Sequence, residues 1–247
     1  MTVHVSPAIV TRIREIAEGD LLVSFFTPEK GFVKGVAKGA RRSRKRFANC
    51  LDVLSLASME YEKRRRGELH HLHSCKLIHG FPGIRSNFAS MALGGYMLEL
   101  TEVLFPQGVA DRDMFDRLRA CLMALDEGVR QDRLLVYFQG AAMAIGGYEI
   151  AIQNCCVCRR RYAGRGRAVF VAESGGIACL KCRQETRMQP GLSPESVKAL
   201  EVIQAGSWAD AKGLSWTDSV LKELKRLLKT HVRMQIGKEL RSEKYLE

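Results

Sequence analysis

The chain has 247 residues, 46% hydrophobic and 27% charged, with 39 Lys and Arg against 27 Asp and Glu for a formal net charge of +12. That length holds one large domain or two ordinary ones with real cores, and the balance of apolar and charged residues argues against general disorder. No apolar run approaches membrane-spanning length, and Met1–Pro7 lacks the basic and apolar regions of a signal peptide. A cytoplasmic protein is therefore expected, with no membrane partner, in which paired cysteines are more often metal ligands than disulfides.

The charge is unevenly spread. Residues 1–80 carry 15 Lys and Arg against 8 Asp and Glu, residues 81–150 carry 6 against 9, and residues 151–247 carry 18 against 10. Two basic regions flanking an acidic middle favour a polyanionic partner, nucleic acid before anionic lipid.

Residues 1–80 read as β. Ala8–Ile16 is rich in β-branched residues, Glu18-Gly19-Asp20 marks a turn, and Leu21–Phe26 is an apolar run of strand length. Pro28-Glu29-Lys30-Gly31 is a second turn, followed by strands expected over Phe32–Gly39, Leu51–Tyr61 and Leu69–Ile78, with Lys63-Arg64-Arg65-Arg66-Gly67 as a further turn. Short strands without an intervening helix suggest an OB-fold, an SH3-like barrel or a sandwich. Within this region Lys34, Lys38, Arg41, Arg42, Arg44, Lys45 and Arg46 stand in one run without an acid. Such a run repels itself unless it is solvated or neutralised, which predicts phosphate contacts without base reading. Phe32 or Phe47 is a candidate for stacking a base. His70, His71 and His73 lie near Cys75, but no further ligand stands at suitable spacing, so packed or solvated histidines are expected. Cys50, Cys75 and Cys121 are isolated in sequence and read as small buried hydrophobes.

After Phe81-Pro82-Gly83 the apolar period becomes helical. Helices are expected over Asn87–Phe105, Met114–Leu125 and Leu134–Ile145. Glu99 and Glu102, three apart, read as a solvated face and not as a catalytic pair, because nothing joins them. The residues from Asn154 to Arg183 contain Cys155, Cys156, Cys158, Cys179 and Cys182, five of the eight cysteines. Cys155-x-x-Cys158 and Cys179-x-x-Cys182 have the spacing of two zinc knuckles, and four thiolates fill a tetrahedral shell, which makes the metal structural. Downstream, Ser193-Pro194-Glu195 is a helix start. A last amphipathic helix begins near Thr217-Asp218 and is expected to pack on the helices of residues 85–150. Phosphate-loop, dinucleotide-binding, nucleophile-elbow and His-Glu-x-x-His motifs are absent from the sequence, which reads as a binding protein and not an enzyme.

Several of these pieces, in order, resemble the RecO family of bacterial recombination mediators. They are Ala8-Ile9-Val10, Glu18-Gly19-Asp20-Leu21-Leu22-Val23, Gly31-Phe32, Ala37-Lys38-Gly39-Ala40-Arg41-Arg42, Leu98-Glu99-Leu100, the two Cys-x-x-Cys pairs with Phe170 and Gly175-Gly176, and the ending Arg241–Leu246. The resemblance implies a multidomain β + α protein, with an OB-fold over residues 1–80 and an α-helical domain over residues 81–247 that carries a four-Cys zinc module at 154–187. It further implies binding of single- and double-stranded DNA and annealing of complementary strands. Contact with the C-terminal tail of single-strand-binding protein, and joint action with RecR to load RecA at gaps, are also implied, in the bacterial cytoplasm at the nucleoid. The DNA role falls on the seven cations from Lys34 to Arg46, and the Zn²⁺ role on Cys155, Cys158, Cys179 and Cys182. The alternatives are a zinc-ribbon nucleic-acid regulator or RNA-processing factor, and a scaffold that binds no DNA.

Overall fold

The structure is a computed structural model that describes residues 2–64, 67–186 and 189–246. The chain divides into two compact units, residues 1–127 and 128–247.

The first unit is built on five strands: β1 (Val3–Ala17), β2 (Asp20–Thr27), β3 (Gly31–Ala37), β4 (Leu56–Lys63) and β5 (His70–His79). They close in the order β1-β2-β3-β5-β4, the five-stranded Greek-key barrel of an OB-fold. Closure depends on β1, whose first half pairs with β4 from Val3 to Ile9 and whose second half pairs with β2 from Ile9 to Ala17. A bulge between Val10 and Arg12 bends the strand between its two partners. The β3–β5 pairing is parallel, Gly35 with His70 and Val36 with His71, and completes the ring. Alternating side chains fill the interior with Val10, Val23, Phe25, Val33, Met59, Tyr61 and Leu72. The strand expected over Leu51–Tyr61 begins later than its apolar run, at Leu56 of β4. Leu51 and Leu54 are buried, but they lie in the long β3–β4 connection, where Leu54 has a positive φ.

Three helices complete this unit: α1 (Pro82–Arg85), α2 (Phe88–Leu104) and α3 (Arg112–Asp126). Asn87 and Asp111 cap the second and third by accepting the N–H groups of Ser90 and Met114. On the barrel, Phe26 stacks with Phe32 at 4.6 Å and meets Phe115 of α3 at 6.1 Å. Gly31 has φ +62° with the Val109 carbonyl against its Cα, so no side chain fits there. Glu102 accepts from Arg12 at 2.5 Å, an ion-paired role for one member of the Glu99/Glu102 pair.

The second unit holds α4 (Gln131–Ile145), a three-stranded sheet of β6 (Ala168–Val171), β7 (Gly176–Cys179) and β8 (Gly191–Leu192), then α5 (Pro194–Ala205), α6 (Trp208–Lys212) and α7 (Asp218–Ile236). Ser193 caps α5 as read from the sequence, and Thr217, near which the last helix is expected to begin, caps α7. The last helix packs on α4 and α5. Gly140 lets α4 approach α5, because a Cβ there would come within 2.5 Å of Ile203.

Candidate metal centre and nucleic-acid interface

The four cysteines predicted as ligands converge. The Sγ atoms of Cys155, Cys158, Cys179 and Cys182 all lie within 4.8 Å of one another, and Cys158 and Cys179 are 3.9 Å apart. Four ligands at the usual Zn–S length of about 2.3 Å in a tetrahedron stand about 3.8 Å apart. The backbone brings them there. Residues 151–156 run beside β7, with Ala151 N–H to Gly175 O at 2.9 Å, Ile177 N–H to Ala151 O at 3.1 Å and Cys156 N–H to Ile177 O at 2.8 Å. The first knuckle turns at Arg159, with φ +61° and its N–H on Cys155 O at 2.9 Å. The second turns after the β6–β7 hairpin, with Cys182 N–H on Cys179 O at 2.9 Å.

Two N–H groups point at sulfur, from Cys158 at 3.5 Å and from Cys179 at 3.4 Å, both to Cys155. Burial disfavours the Cys155 thiolate, but these donors outweigh it and bring the thiol down to about 6. An environment that holds a thiolate within reach of three more sulfurs fits a soft metal ion, so the donor set and the geometry agree. Arg167 ties the module to α7 through Glu223 at 3.0 Å and also meets Glu185 at 3.2 Å. Arg159, Arg160, Arg161, Arg165, Lys181 and Arg183 are exposed around the knuckles, with no ion-pair partner among the described residues. Arg187 lies outside the described residues, as do Arg65 and Arg66 of the expected β4–β5 turn.

The basic run of the first unit lies on β3 and on the β3–β4 connection, and all seven of its cations are exposed. The connection is firmly held. Gly39 N–H donates to Asp20 Oδ1 at 2.7 Å, Arg41 N–H to Gly19 O at 3.2 Å, and Cys75 N–H to Arg46 O at 2.8 Å. Ala40, Phe47, Cys50 and Leu51 sink into the barrel core. The cations then separate by environment. Arg41 pairs with Glu15 at 2.8 Å and Arg42 with Glu18. Arg46 donates to Lys38 O at 2.8 Å and lies over the Phe47 ring. Lys34, Lys38, Arg44 and Lys45 have no ion-pair partner among the described residues.

Two expectations are corrected here, on the aromatic rings and on two cysteines, and the one on the histidines stands. Phe32 and Phe47 are 7% and 5% exposed, packed on Phe26 and in the barrel core respectively, so neither ring is free to stack a base. Cys50 and Cys75 are bonded to each other as a disulfide across 25 residues, a pairing invisible in sequence because it spans the β3–β4 connection and β5. The rings of His71 and His73 pack edge to face, with centroids 4.8 Å apart. His73 meets Glu62 at 3.4 Å, and the metal-competent cluster among the described residues is the four-cysteine one.

The chain thus combines an OB-type barrel with a second unit in which four clustered cysteines could hold a metal ion, and each carries exposed cations. Family models agree. One described as Recombination protein O N terminal matches residues 1–81, and one described as Recombination protein O C terminal matches residues 85–244. DNA repair protein RecO of Syntrophus aciditrophicus (strain SB) is 30% identical, over 99% of this chain and 95% of the relative. Proteins of the same name from Syntrophotalea carbinolica and Dehalococcoides mccartyi (strain CBDB1) are 29% and 28% identical, over 98% and 94% of this chain and 93% and 90% of theirs. The chain belongs to the RecO family.

Proposed function

We propose that this chain acts in DNA repair and recombination as a mediator: it binds single- and double-stranded DNA without reading sequence and anneals complementary strands. Acting with RecR and the C-terminal tail of single-strand-binding protein, it helps to load RecA at gaps, in the bacterial cytoplasm at the nucleoid. The observation that carries this reading is the basic run on the barrel. The backbone of its connection is fixed by hydrogen bonds and buried side chains, while Lys34, Lys38, Arg44 and Lys45 remain exposed without ion-pair partners. Unpaired cations on a rigid support bind phosphates with little ordering cost, and release of counterions makes the binding salt-dependent. Arg41 and Arg42 contribute by exchanging Glu15 and Glu18 for phosphate, pairs that are worth little at an exposed surface.

The metal is Zn²⁺, held by Cys155, Cys158, Cys179 and Cys182. When bound it supplies charge neutralisation and a crosslink for the thiolates, and four sulfurs leave it no open position for catalysis. The role is that of a binding protein and not an enzyme.

The reading is tested by reversing charge on the loop. Arg44→Glu/Lys45→Glu in the full chain is expected to weaken binding of a random-sequence single strand about tenfold or more and to lower the magnitude of the salt slope by about two. Wild-type affinity and slope in that variant would refute the loop assignment. Competition by unrelated sequences distinguishes this function from a site-reading regulator, which would resist them.

A further inference from the structure

OB-folds commonly receive oligonucleotides on the face of strands 2 and 3. In this barrel that face is closed. The outward side chains Ser24, Phe26, Phe32 and Val36 are all buried, and Phe115 of α3 stands against Phe26. Arg12–Glu102 and Arg112–Glu29 fasten the helices at its border. Lys34 is the one exposed residue among the outward positions on β3.

The outward face of β4, β5 and the first half of β1 is open instead. It carries a groove of about 400 Å³ bounded by Lys45 and Arg46 of the β3–β4 connection, Lys76 of β5 and Val5 of β1, with Glu60 and Ser74 in its floor. That volume lies in the range of about 300–1,000 Å³ that binding clefts occupy. Val5 is 69% exposed, and Leu77, also lining the groove, is 38% exposed. Glu60 accepts the Ser74 hydroxyl at 2.5 Å.

We infer that a single DNA strand crosses the barrel over β4 and β5, through this groove, and not over β2 and β3. The inference rests on the DNA-binding reading above and adds the path. Two cations at the rim, Lys45 and Arg46, belong to the basic run, so the groove continues that surface without a break. Lys76 of β5 also lines the groove, with no ion-pair partner among the described residues. Phosphates are drawn to the three rim cations and repelled by the floor carboxylate. Bases therefore turn inward, where Val5 and Leu77 offer aliphatic contact that any base can take. With no free aromatic ring in the groove, affinity comes from charge more than from stacking. An acidic peptide would be attracted by the same rim but would bring its carboxylates against Glu60.

The test uses the full chain and a fluorescent oligothymidylate. Lys76→Glu is expected to weaken binding roughly tenfold and to reduce the salt slope by about one, as loss of one phosphate contact does. Ser74→Trp, which fills the groove, is expected to weaken binding at every salt concentration, whereas Lys34→Glu has the smaller effect. Retention of wild-type affinity by both Lys76→Glu and Ser74→Trp, while Arg44→Glu/Lys45→Glu loses it, overturns the groove and leaves DNA binding in place. A wild-type chain without salt-dependent DNA binding overturns the DNA reading itself. Loss in Ser74→Trp of binding to an acidic peptide with an apolar end, with DNA affinity intact, makes the groove a protein-docking site and also overturns the proposal.

Discussion

His231, the one histidine of residues 128–247, shows how a single buried group sets a pH limit. It is 1% exposed on α7, with Nε2 2.7 Å from the Tyr148 carbonyl and the Phe170 ring edge-on at 5.7 Å. A carbonyl only accepts, so Nε2 carries the proton, and Nδ1 has no hydrogen-bond partner. Burial pushes its pKa below the ordinary 6.5, against the pull of the Tyr148 carbonyl. Above about pH 6.5 both folded and unfolded chains hold it neutral and nothing is lost. Below that value the unfolded chain takes up a proton that the folded one refuses, and stability declines by up to about 1.4 kcal/mol per pH unit until the folded pKa is passed. Denaturant titrations between pH 7.5 and 5.5, following the second unit, should show this decline, and His231→Gln, which keeps a donor but cannot titrate, should flatten it. An equally steep decline in His231→Gln would exclude His231 as the source.

At the scale of elements, the same separation between what sequence encodes locally and what the fold assembles accounts for what was legible. Strand alternation, the turns at Gly19 and Gly31 and the caps Ser193 and Thr217 are local chemistry, and each element they mark is present. The four metal-ligand candidates were legible because knuckle spacing is a short-range constraint. What was missed depends on distant partners. Phe47 sits in a basic run yet fills the barrel, and Leu51 and Leu54 are apolar and buried without being in a strand. The Cys50–Cys75 bond belongs to the same class. A crosslink over a loop of this length is worth about 3–4 kcal/mol by loop closure, and it anchors the end of the connection that bears Arg44, Lys45 and Arg46. Thiol counting separates it from the metal centre. Unreduced chain, denatured with a chelator present, should expose six thiols, and a reductant should raise the count to the full eight cysteines. Zinc content should be one per chain in the wild type and absent in Cys179→Ser/Cys182→Ser. Eight thiols without reductant would remove the disulfide, and full zinc in the double variant would remove the four-thiolate site.

At the scale of the whole molecule, two cationic surfaces stand out, one in each compact unit. The first is the loop and groove of the barrel, and the second is the ring of exposed Arg159, Arg160, Arg161, Arg165, Lys181 and Arg183 around the metal module. Annealing brings two polyanions together, and a protein lowers that repulsion most effectively by neutralising each strand at a separate place. Binding one strand requires one surface, whereas pairing two requires both, in one chain or in two copies. This gives an asymmetric expectation. Charge reversal at Arg160, Arg161 and Arg165 leaves the barrel surface intact, so single-strand affinity should fall only a few fold. Annealing of complementary strands, followed by fluorescence quenching at protein concentrations that saturate the first strand, should fall far more. The barrel variant Arg44→Glu/Lys45→Glu should lose both activities together. If the variant of the second unit anneals at the wild-type rate, its arginines are only a solvated surface, and both strands must then be held by the barrel alone, in one copy or two.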